Sequence, residues 1–293
     1  GVLDSLSRRR AIRGGPGLVA PILGSMAAEP AAERLSDEST GLAHGEIIRD
    51  YEPPPDTRWR SERPDYRLAN EAYFAHRAKK HMEGSLEAMA SKLLKNWEVE
   101  VHNIADIHRW KTTDASKFRA AAGGGCPFSA QHLADVGHSN MWLGDTPQYA
   151  AAFNTAESGN TIFREAFPEG FAWEVLEVLA GPPTLSFKWR HFGKFAGTYT
   201  DRSGVQHKGN GRLVNLVGVC IVKVGDEMRI QSLDVYYNPA DLLKHLVTHV
   251  KPGDQATAKS SPGAAPAVSS EEDLEEEVAR LCRGDPGRAR PPG

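Results

Sequence analysis

The sequence predicts an α+β fold in which a curved antiparallel sheet is packed by helices on one side. Residues 185–191 alternate between apolar and polar side chains, the period of two that is typical of a half-buried strand. Residues 213–224 are apolar on both faces, which predicts a strand covered on two sides. Gly225 and Asp226 then predict a turn, and residues 228–237 a strand that runs back beside it.

Composition places the chain among ordinary globular proteins. It has 293 residues, of which 40% are hydrophobic, and a formal net charge of −3. Lys and Arg are scattered after the first 20 residues, which excludes an extended nucleic-acid surface. No apolar stretch approaches the ~18 residues that a membrane helix requires, so we expect a soluble protein.

Cysteine usage and the N-terminus bear on the compartment. Cys126, Cys220 and Cys282 are odd in number and far apart, which argues against a disulfide framework and for a reducing compartment. We therefore expect a cytoplasmic protein. Residues 1–25 are rich in Arg and poor in acids, so they are either a transit-peptide remnant, which would indicate a plastid or mitochondrion, or translated leader ahead of a start at Met26.

The N-terminal half predicts an arm followed by two helices and a lid. Residues 27–65 contain three consecutive prolines and no clear period, which predicts an extended wrapping arm. Helical periodicity runs from Tyr66 to about Met82, and Ser85 is placed to cap a second helix with an apolar stripe that ends at Trp97. Residues 103–147 are irregular and predict loop and short helix over the sheet.

The C-terminal half carries the sheet and a tail. Residues 148–167 predict a helix, Trp173 begins the first long strand, and residues 200–211 predict a polar hairpin loop in which His207 is solvated. His245 and His249 are at helical spacing but have no carboxylate or Cys partner in register, so no metal site is predicted. We divide the chain into a leader and arm (1–64), a folded domain (65–250) and a flexible tail (251–293). Within the tail the acidic stretch 271–281 is either a handle for a protein partner or disordered.

Several runs resemble a known family. They are FREAFPEGFAWEVLEVLAGPPTLSFKWRHFG, GVCIVKV and DVYYNPADLLKHL, with EGSLEAMASKLLKNWEVEVHN at residues 83–103 upstream. Over roughly residues 60–248 the sequence resembles the plant pathogen-related proteins of the SnoaL-like polyketide cyclase group. The resemblance implies a cone-shaped α+β fold of the nuclear transport factor 2-like type, closed at one end around a pocket. That fold hosts enzymes, ligand carriers and scaffolds, so it does not by itself name a function.

Two residues are candidates for chemistry. Strand alternation places His191 on the inward face, and it places Asp234 on one face with Met228, Ile230 and Tyr236. If that face is concave, desolvation would raise the pKa of the Asp234 carboxyl and suit it to proton transfer. The resemblance implies that an acidic residue near the end of this strand is the general acid/base of an aldol-type ring closure, and Asp234 is the match.

The ligand would lie among aromatic and imidazole side chains. The predicted ligand-binding residues are Trp97, His102, Trp173, Phe187, Trp189 and Tyr236. Three functions stay open: a carrier of a small hydrophobic ligand with the stress or defence role that the resemblance implies; a cofactor-independent cyclase, isomerase or dehydratase that uses Asp234 and His191; and a non-catalytic assembly subunit. No cofactor motif is present. A strand that is apolar on both faces also predicts a homodimer through the outer face of the sheet.

Overall fold

The computed structural model describes residues 35–247. Within that range the α-helices are α1 (Asp37–Thr40), α2 (Arg67–His76), α3 (Leu86–Asn103), α4 (Ala130–Val136), α5 (His138–Leu143), α6 (Ala156–Ala166) and α7 (Pro239–Leu243). The strands are β1 (Arg119–Ala122), β2 (Phe128–Ser129), β3 (Phe171–Ala180), β4 (Thr184–Phe195), β5 (Thr198–Thr200), β6 (Gln206–Lys208), β7 (Arg212–Val224) and β8 (Ile230–Tyr236). The predicted α+β class is confirmed.

Six strands form one mixed sheet in the order β2-β1-β8-β7-β4-β3. The pairs β3–β4, β4–β7 and β7–β8 are antiparallel, as predicted. The pair β1–β2 is also antiparallel and lies in the segment that was expected to be loop and short helix. The pair β1–β8 is parallel, so the prediction of a wholly antiparallel sheet is wrong at this edge. A long stretch of chain separates β1 from β8, and a parallel pair needs such a crossover in place of a hairpin. The sequence did not indicate β1 because three of its four residues are the alanines of an Ala-Gly run.

The inner face of the sheet carries the main core. On β4 the side chains of Leu185, Phe187 and Trp189 are buried on one face, which agrees with the predicted alternation. β7 alternates too: Cys220 and its inward neighbours are buried, whereas Val217 on the other face is 56% exposed. The predicted cover on the outer face of β7 is therefore absent from the described part of this single chain.

Helices pack on both faces of the sheet, not on one. Helix α3 begins at the predicted cap, where the Ser85 Oγ accepts a hydrogen bond from the Ala88 N–H at 3.2 Å, and its Trp97 is wholly buried in the main core. Helix α2 lies against the opposite face, where its Tyr73 packs with Phe192 of β4. It ends at His76, earlier than predicted, and the chain then runs beside β3, where the Lys79 N–H donates to the Glu174 carboxylate at 2.7 Å.

The arm packs closely against the domain. Leu35, Ile48 and Tyr51 are buried, and Trp59 forms an isolated antiparallel bridge with Ile104 at the end of α3. The Arg49 guanidinium is almost fully buried as well. The packed body therefore begins N-terminal to the predicted domain boundary at residue 65. The predictions of a leader over residues 1–25 and of a flexible tail over residues 251–293 concern residues outside the described range.

One smaller expectation is wrong. His207 is buried on the small β5–β6 sheet, and its Nε2 lies 2.8 Å from the Asp201 carboxylate, so it is not solvated. Cys220 is a free buried thiol. The reducing compartment and the cytoplasmic location stay predictions. Among residues 35–247 no helix is long and apolar enough to cross a membrane.

Candidate functional site

A cavity of about 510 Å³ lies between the inner face of the sheet and helices α3, α5 and α6. Arm residues 60–66 line part of it. Aromatic side chains from the sheet and helices form much of its inner wall, and charged and polar side chains, many of them from the arm and α6, line the side nearer the mouth. This is the usual character of a small-molecule site, in which apolar surface provides affinity and a few polar atoms fix orientation.

Three indoles form the centre of the cavity wall. Trp97 comes from α3, Trp173 from β3 and Trp189 from β4. The ring centres of Trp97 and Trp173 are 6.3 Å apart, and those of Trp173 and Trp189 are 5.8 Å apart in an edge-to-face arrangement. Such contacts hold aromatic rings in fixed relative orientations. The wall is therefore a continuous, preformed aromatic surface.

Trp189 can lie close to β7 because the residue beneath it is Gly218. A Cβ atom at Gly218 would lie 2.4 Å from Cζ2 of Trp189 and 2.7 Å from the Tyr236 carbonyl oxygen. Neither contact is possible without movement of the ring or the strand. The glycine therefore determines how far the indole stands from the sheet.

Helix α5 brings His138 and Trp142 to the cavity on one helical face. Its first residue follows Gly137, which has φ +94° and stands so close to α6 that a Cβ would lie 2.5 Å from Cα of Ala156. The Asn140 side chain fixes the helix further. Its amide donates to the Asn154 carbonyl at 2.9 Å, and its oxygen accepts from the Tyr149 hydroxyl at 2.6 Å.

Three imidazoles from three different elements line the cavity. His102 of α3 and His138 of α5 meet edge to face with ring centres 4.3 Å apart. His191 of β4 lies 3.8 Å from the ring centre of Phe171 and 5.7 Å from that of Trp173. Trp173 is also 6.5 Å from His138, so this indole neighbours both His138 and His191.

Burial keeps these imidazoles neutral. It lowers the pKa of His191 to about 3. The Glu98 carboxylate raises this pKa in part, and His102 and Lys95 lower it further. Burial, reinforced by His102 and His191, holds the pKa of His138 well below its usual range. Burial also lowers the pKa of His102, although the charge of Glu98 acts in the other direction. At neutral pH each ring can both donate and accept a hydrogen bond.

Glu98 is the carboxylate nearest the imidazoles, one helical turn before His102. Its Oε2 accepts a hydrogen bond from the Arg49 guanidinium at 2.8 Å, and both side chains are almost completely buried. Burial opposes its charge, but Arg49, His102 and Lys95 together hold the pKa of Glu98 below its usual range. Arg49 in turn lies 3.9 Å above the Tyr66 ring. The arm thus neutralises the charge of a carboxylate at the cavity wall.

Six buried nitrogen atoms of cavity-lining residues have no hydrogen-bond partner within the described chain. They are the indole Nε1 atoms of Trp97, Trp173 and Trp189, the imidazole Nε2 atoms of His102 and His191, and the Nε of Arg60. A buried polar atom left without a partner costs about 1–3 kcal/mol, and native proteins contain few of them. Their concentration around one cavity indicates that something else completes these bonds, either water or a ligand.

The mouth of the cavity is charged. Arg60 of the arm donates to Glu157 of α6 at 3.3 Å and to the carbonyl oxygen of Ala134, which ties the arm across two helices. Arg164 of α6 also lines the mouth and is exposed. Acidic side chains balance these cations, so the mouth does not select strongly for one sign of charge.

Most of the predicted site residues come together. Trp97, His102, Trp173, Trp189 and His191 all line the cavity. Phe187 does not: it lies on the same face of β4 but is wholly buried among core side chains. The prediction that Phe187 contacts the ligand is therefore wrong.

Asp234 and Tyr236 lie on the wrong face of the sheet for the predicted roles. Asp234 pairs with Ile221 on the outer face of β7, and Tyr236 is 42% exposed; neither lines the cavity. Burial still raises the pKa of Asp234, but on the face away from the cavity. As general acid/base within the cavity, Asp234 is therefore excluded by its position.

An irregularity in β8 explains the error. Val224 pairs with Ile230, but the next pair is Lys223 with Ser232, so β8 holds one extra residue, Gln231. A bulge of this kind reverses the inward and outward order of all later residues. The inward residues are in consequence Val235 and Tyr237, both of which line the cavity. The Tyr237 hydroxyl donates to the Trp142 carbonyl oxygen.

Four residues of the cavity wall were not predicted from the sequence: His138, Trp142, Glu98 and Tyr237. The spacing of His138 and Trp142 at i, i+4 could have indicated a shared helical face, but Gly137 and Gly144 on either side made the segment resemble a loop. Glu98 precedes His102 by four residues and could have been found in the same way. Among residues 35–247, no group of three or more His, Cys, Asp or Glu side chains is arranged to hold a metal ion.

The chain is similar to a plant protein along most of its length. The chain is 29% identical over 239 residues to the pathogen-related protein of Hordeum vulgare, across 79% of this chain and 96% of the relative. The predicted resemblance to the plant pathogen-related proteins is confirmed. No family model matches the chain.

Solved structures with partial similarity include proteins of the predicted structural group. One is described as a SnoaL-like polyketide cyclase from Jannaschia sp. (13% identity, TM-score 0.32, 57% of this chain and 97% of the other). Another is described as a polyketide cyclase from Acidithiobacillus ferrooxidans (14%, TM-score 0.34, 57% and 97%). A nuclear transport factor 2-like protein from Exiguobacterium sp. has 8% identity, a TM-score of 0.25 and 52% and 91% coverage. These scores are low, and nothing about the cavity is inferred from them.

Proposed function

We propose that the chain binds a small, largely apolar ligand with hydrogen-bond acceptor atoms in the central cavity. The observation that carries the proposal is the aromatic wall with the unpartnered N–H groups of Trp97 and Trp173. Indole nitrogen can only donate, so a ligand that satisfies it must present an acceptor such as a carbonyl or ether oxygen. The name of the Hordeum vulgare relative supports a role in the response to pathogens.

The size and lining of the cavity agree with a molecule of two or three fused rings. A flat ring system would bury its faces against the indoles, and burial of apolar surface contributes about 25 cal/mol per Å². The arginine and histidine side chains do not neutralise a buried anion, because the imidazoles are uncharged and Arg49 is paired with Glu98. A neutral carbonyl compound therefore suits the inner wall better than a carboxylate does.

A matched pair of probes tests this proposal. 9-Fluorenone and fluorene have the same shape and differ by one carbonyl oxygen, and equilibrium dialysis measures the binding of each. We expect saturable binding of both and tighter binding of 9-fluorenone by about 5- to 10-fold, the contribution of roughly one net hydrogen bond.

The variant Trp173→Phe keeps an aromatic ring and removes one N–H donor, so it should abolish most of the preference for 9-fluorenone. Trp59→Phe, a substitution in the arm outside the cavity, is the control and should retain it. If the wild-type chain binds neither probe saturably, the ligand-binding proposal is wrong.

A further inference from the structure

We propose that residues 61–65 of the arm form a strap that opens to let the ligand enter and leave, and that the hydroxyl of Ser39 holds this strap closed. The proposal rests on the proposed ligand binding and deepens it, because it identifies what controls access to the cavity. Arm residues 60–66 line part of the cavity, so the strap is a segment of its wall.

Most of the cavity wall outside the strap is held in regular secondary structure. The other irregular stretch, residues 167–170, is tightly packed. Phe167 stacks on Phe171 with ring centres 4.2 Å apart, and the Gly170 N–H donates to the Phe167 carbonyl oxygen at 2.9 Å. A Cβ atom at Gly170 would lie 2.3 Å from the carbonyl oxygen of Leu68. A ligand route through this stretch would therefore require α2 and β3 to separate.

The strap itself is sparsely bonded. Ser61, Glu62 and Asp65 are exposed, and within residues 35–247 their backbone groups make no hydrogen bond to another backbone group. Segments with an exposed backbone and few buried apolar contacts open locally at a low cost in free energy, and ligand-binding loops commonly have this character. The strap is therefore the part of the wall that can move while the helices and the sheet stay in place.

Both ends of the strap are fixed at Asn103, the last residue of α3. The Arg60 N–H donates to the Asn103 carbonyl oxygen at 2.8 Å, and the Asn103 side-chain amide donates to the Tyr66 hydroxyl at 3.0 Å. The Arg60 guanidinium also donates to Glu157 at 3.3 Å and to the Ala134 carbonyl oxygen. These contacts make Arg60 the fixed end about which the strap moves.

Ser39 of α1 holds the other end. Its buried hydroxyl accepts a hydrogen bond from the Tyr66 N–H at 3.0 Å and donates one to the Asp65 carboxylate at 3.4 Å. The Ser39 carbonyl oxygen accepts from the Asn70 side chain of α2 at 3.1 Å, which fixes Ser39 to the folded body. One hydroxyl therefore closes the strap, and opening breaks both of its bonds.

A strap of this kind controls rates, not affinity. It closes over the empty cavity and over the bound ligand alike, so weakening its closure raises the rates of ligand entry and release by the same factor. The Kd then stays the same. Removal of a residue that only contacts the bound ligand has a different signature, because it raises the release rate and the Kd together.

Fluorine NMR with 2-fluoro-9-fluorenone and the full chain tests the proposal. Exchange between the free and bound signals gives the release rate, and a titration gives the Kd. Ser39→Ala removes a hydroxyl that does not line the cavity. We expect its release rate to rise at least about fivefold, because the Tyr66 N–H loses its acceptor, with the Kd unchanged within about twofold.

Ser129→Ala is the matched control. Its hydroxyl also accepts a backbone N–H, from His132 at 3.2 Å, but Ser129 lies outside the cavity wall. This variant should keep the wild-type release rate. Circular dichroism verifies that both variants are folded.

Hydrogen exchange of the wild-type chain is a second measurement that needs no variant. The amides of residues 61–65 should exchange more slowly when 2-fluoro-9-fluorenone saturates the cavity, because the bound ligand favours the closed strap. The exposed residues 202–204, far along the chain, should exchange alike with and without it.

The outcomes separate the strap from ligand binding. Absence of saturable binding by the wild type would contradict ligand binding itself. Saturable binding with the same release rate in Ser39→Ala and the wild type would overturn the strap and leave ligand binding intact. A Kd that rises as much as the release rate would also overturn it, and so would strap amides whose exchange the bound ligand does not slow.

Discussion

His138 illustrates at the level of single residues how the cavity links function to stability. Its imidazole lies in the cavity wall and is only partly accessible to solvent, and desolvation holds its pKa well below the usual range. In the unfolded chain the pKa of this imidazole is ~6.5. Below that pH the unfolded chain therefore binds a proton at His138, whereas the folded chain does not. The stability that neutral His138 contributes is present above about pH 6.5 and decreases as the pH falls.

We predict that His138→Asn weakens this acid sensitivity. The free energy of unfolding of the wild type should fall between about pH 6.5 and pH 5, with His138 contributing up to ~1.4 kcal/mol per pH unit. The variant should show a shallower fall in urea titrations across the same range, and the exposed His108→Asn should not. Parallel curves for the wild type and His138→Asn would show that His138 protonates alike in both states.

The Arg49–Glu98 pair provides a second prediction for single residues. Arg49→Met leaves the Glu98 carboxylate buried without its cation, and breaking a buried pair in this way costs roughly 3–5 kcal/mol. Replacing both partners, as Arg49→Met with Glu98→Gln, should recover much of that loss. A double-mutant cycle in urea measures the difference. A double variant as unstable as the sum of the single variants would show that the two charges do not interact.

Among the secondary-structure elements, β4 and β8 show how far the sequence is informative. β4 runs for 12 residues, and its alternation correctly placed Trp189 and His191 toward the cavity. β8 carries the same kind of alternation, but the bulge at Gln231 reverses it. A bulge depends on the pairing of two strands, and no local pattern in one strand reveals it. Helix α5 was missed for a similar reason. It lies between two glycines, and its packing against α6, which no local pattern reveals, stabilises it.

The bulge leads to a prediction for Asp234. Because Asp234 lies on the outer face, Asp234→Asn should leave the affinity for 9-fluorenone unchanged within about twofold. His102→Gln, on the cavity wall, should change this affinity. The measurement is equilibrium dialysis with each variant. A large loss of affinity in Asp234→Asn would mean that β8 pairs in a different register.

At the scale of the whole molecule, the outer face of the sheet exposes apolar side chains. The sequence predicts that this face is covered. Leu213, Val217, Ile221 and Tyr236 are all at least 38% exposed there. The predicted homodimer would cover them, and it stays a prediction because one chain is described. Light scattering at micromolar concentration should give a dimer mass. Val217→Lys should give a monomer, because it places a charge at the centre of the predicted contact. A monomeric wild type would contradict it.

The extent of the folded body is also testable for the whole molecule. Residues 35–64 share the packed core, so limited proteolysis should leave a fragment that begins nearer Leu35 than Asp65. Mass spectrometry of the resistant fragment locates its first residue. A stable fragment that starts after Arg60 would show that the arm detaches, and its loss should also open the cavity mouth to solvent.

Gly218 has a consequence for how this protein could diverge. The Trp189 ring fills the space that a Cβ would occupy, so a single change to alanine would push the indole toward the bound ligand and shorten the room available to it. The mutated residue would itself stay out of reach of the ligand. During evolution, one substitution at this position could therefore change the length of ligand that the cavity accepts. Every residue that contacts the ligand would stay the same.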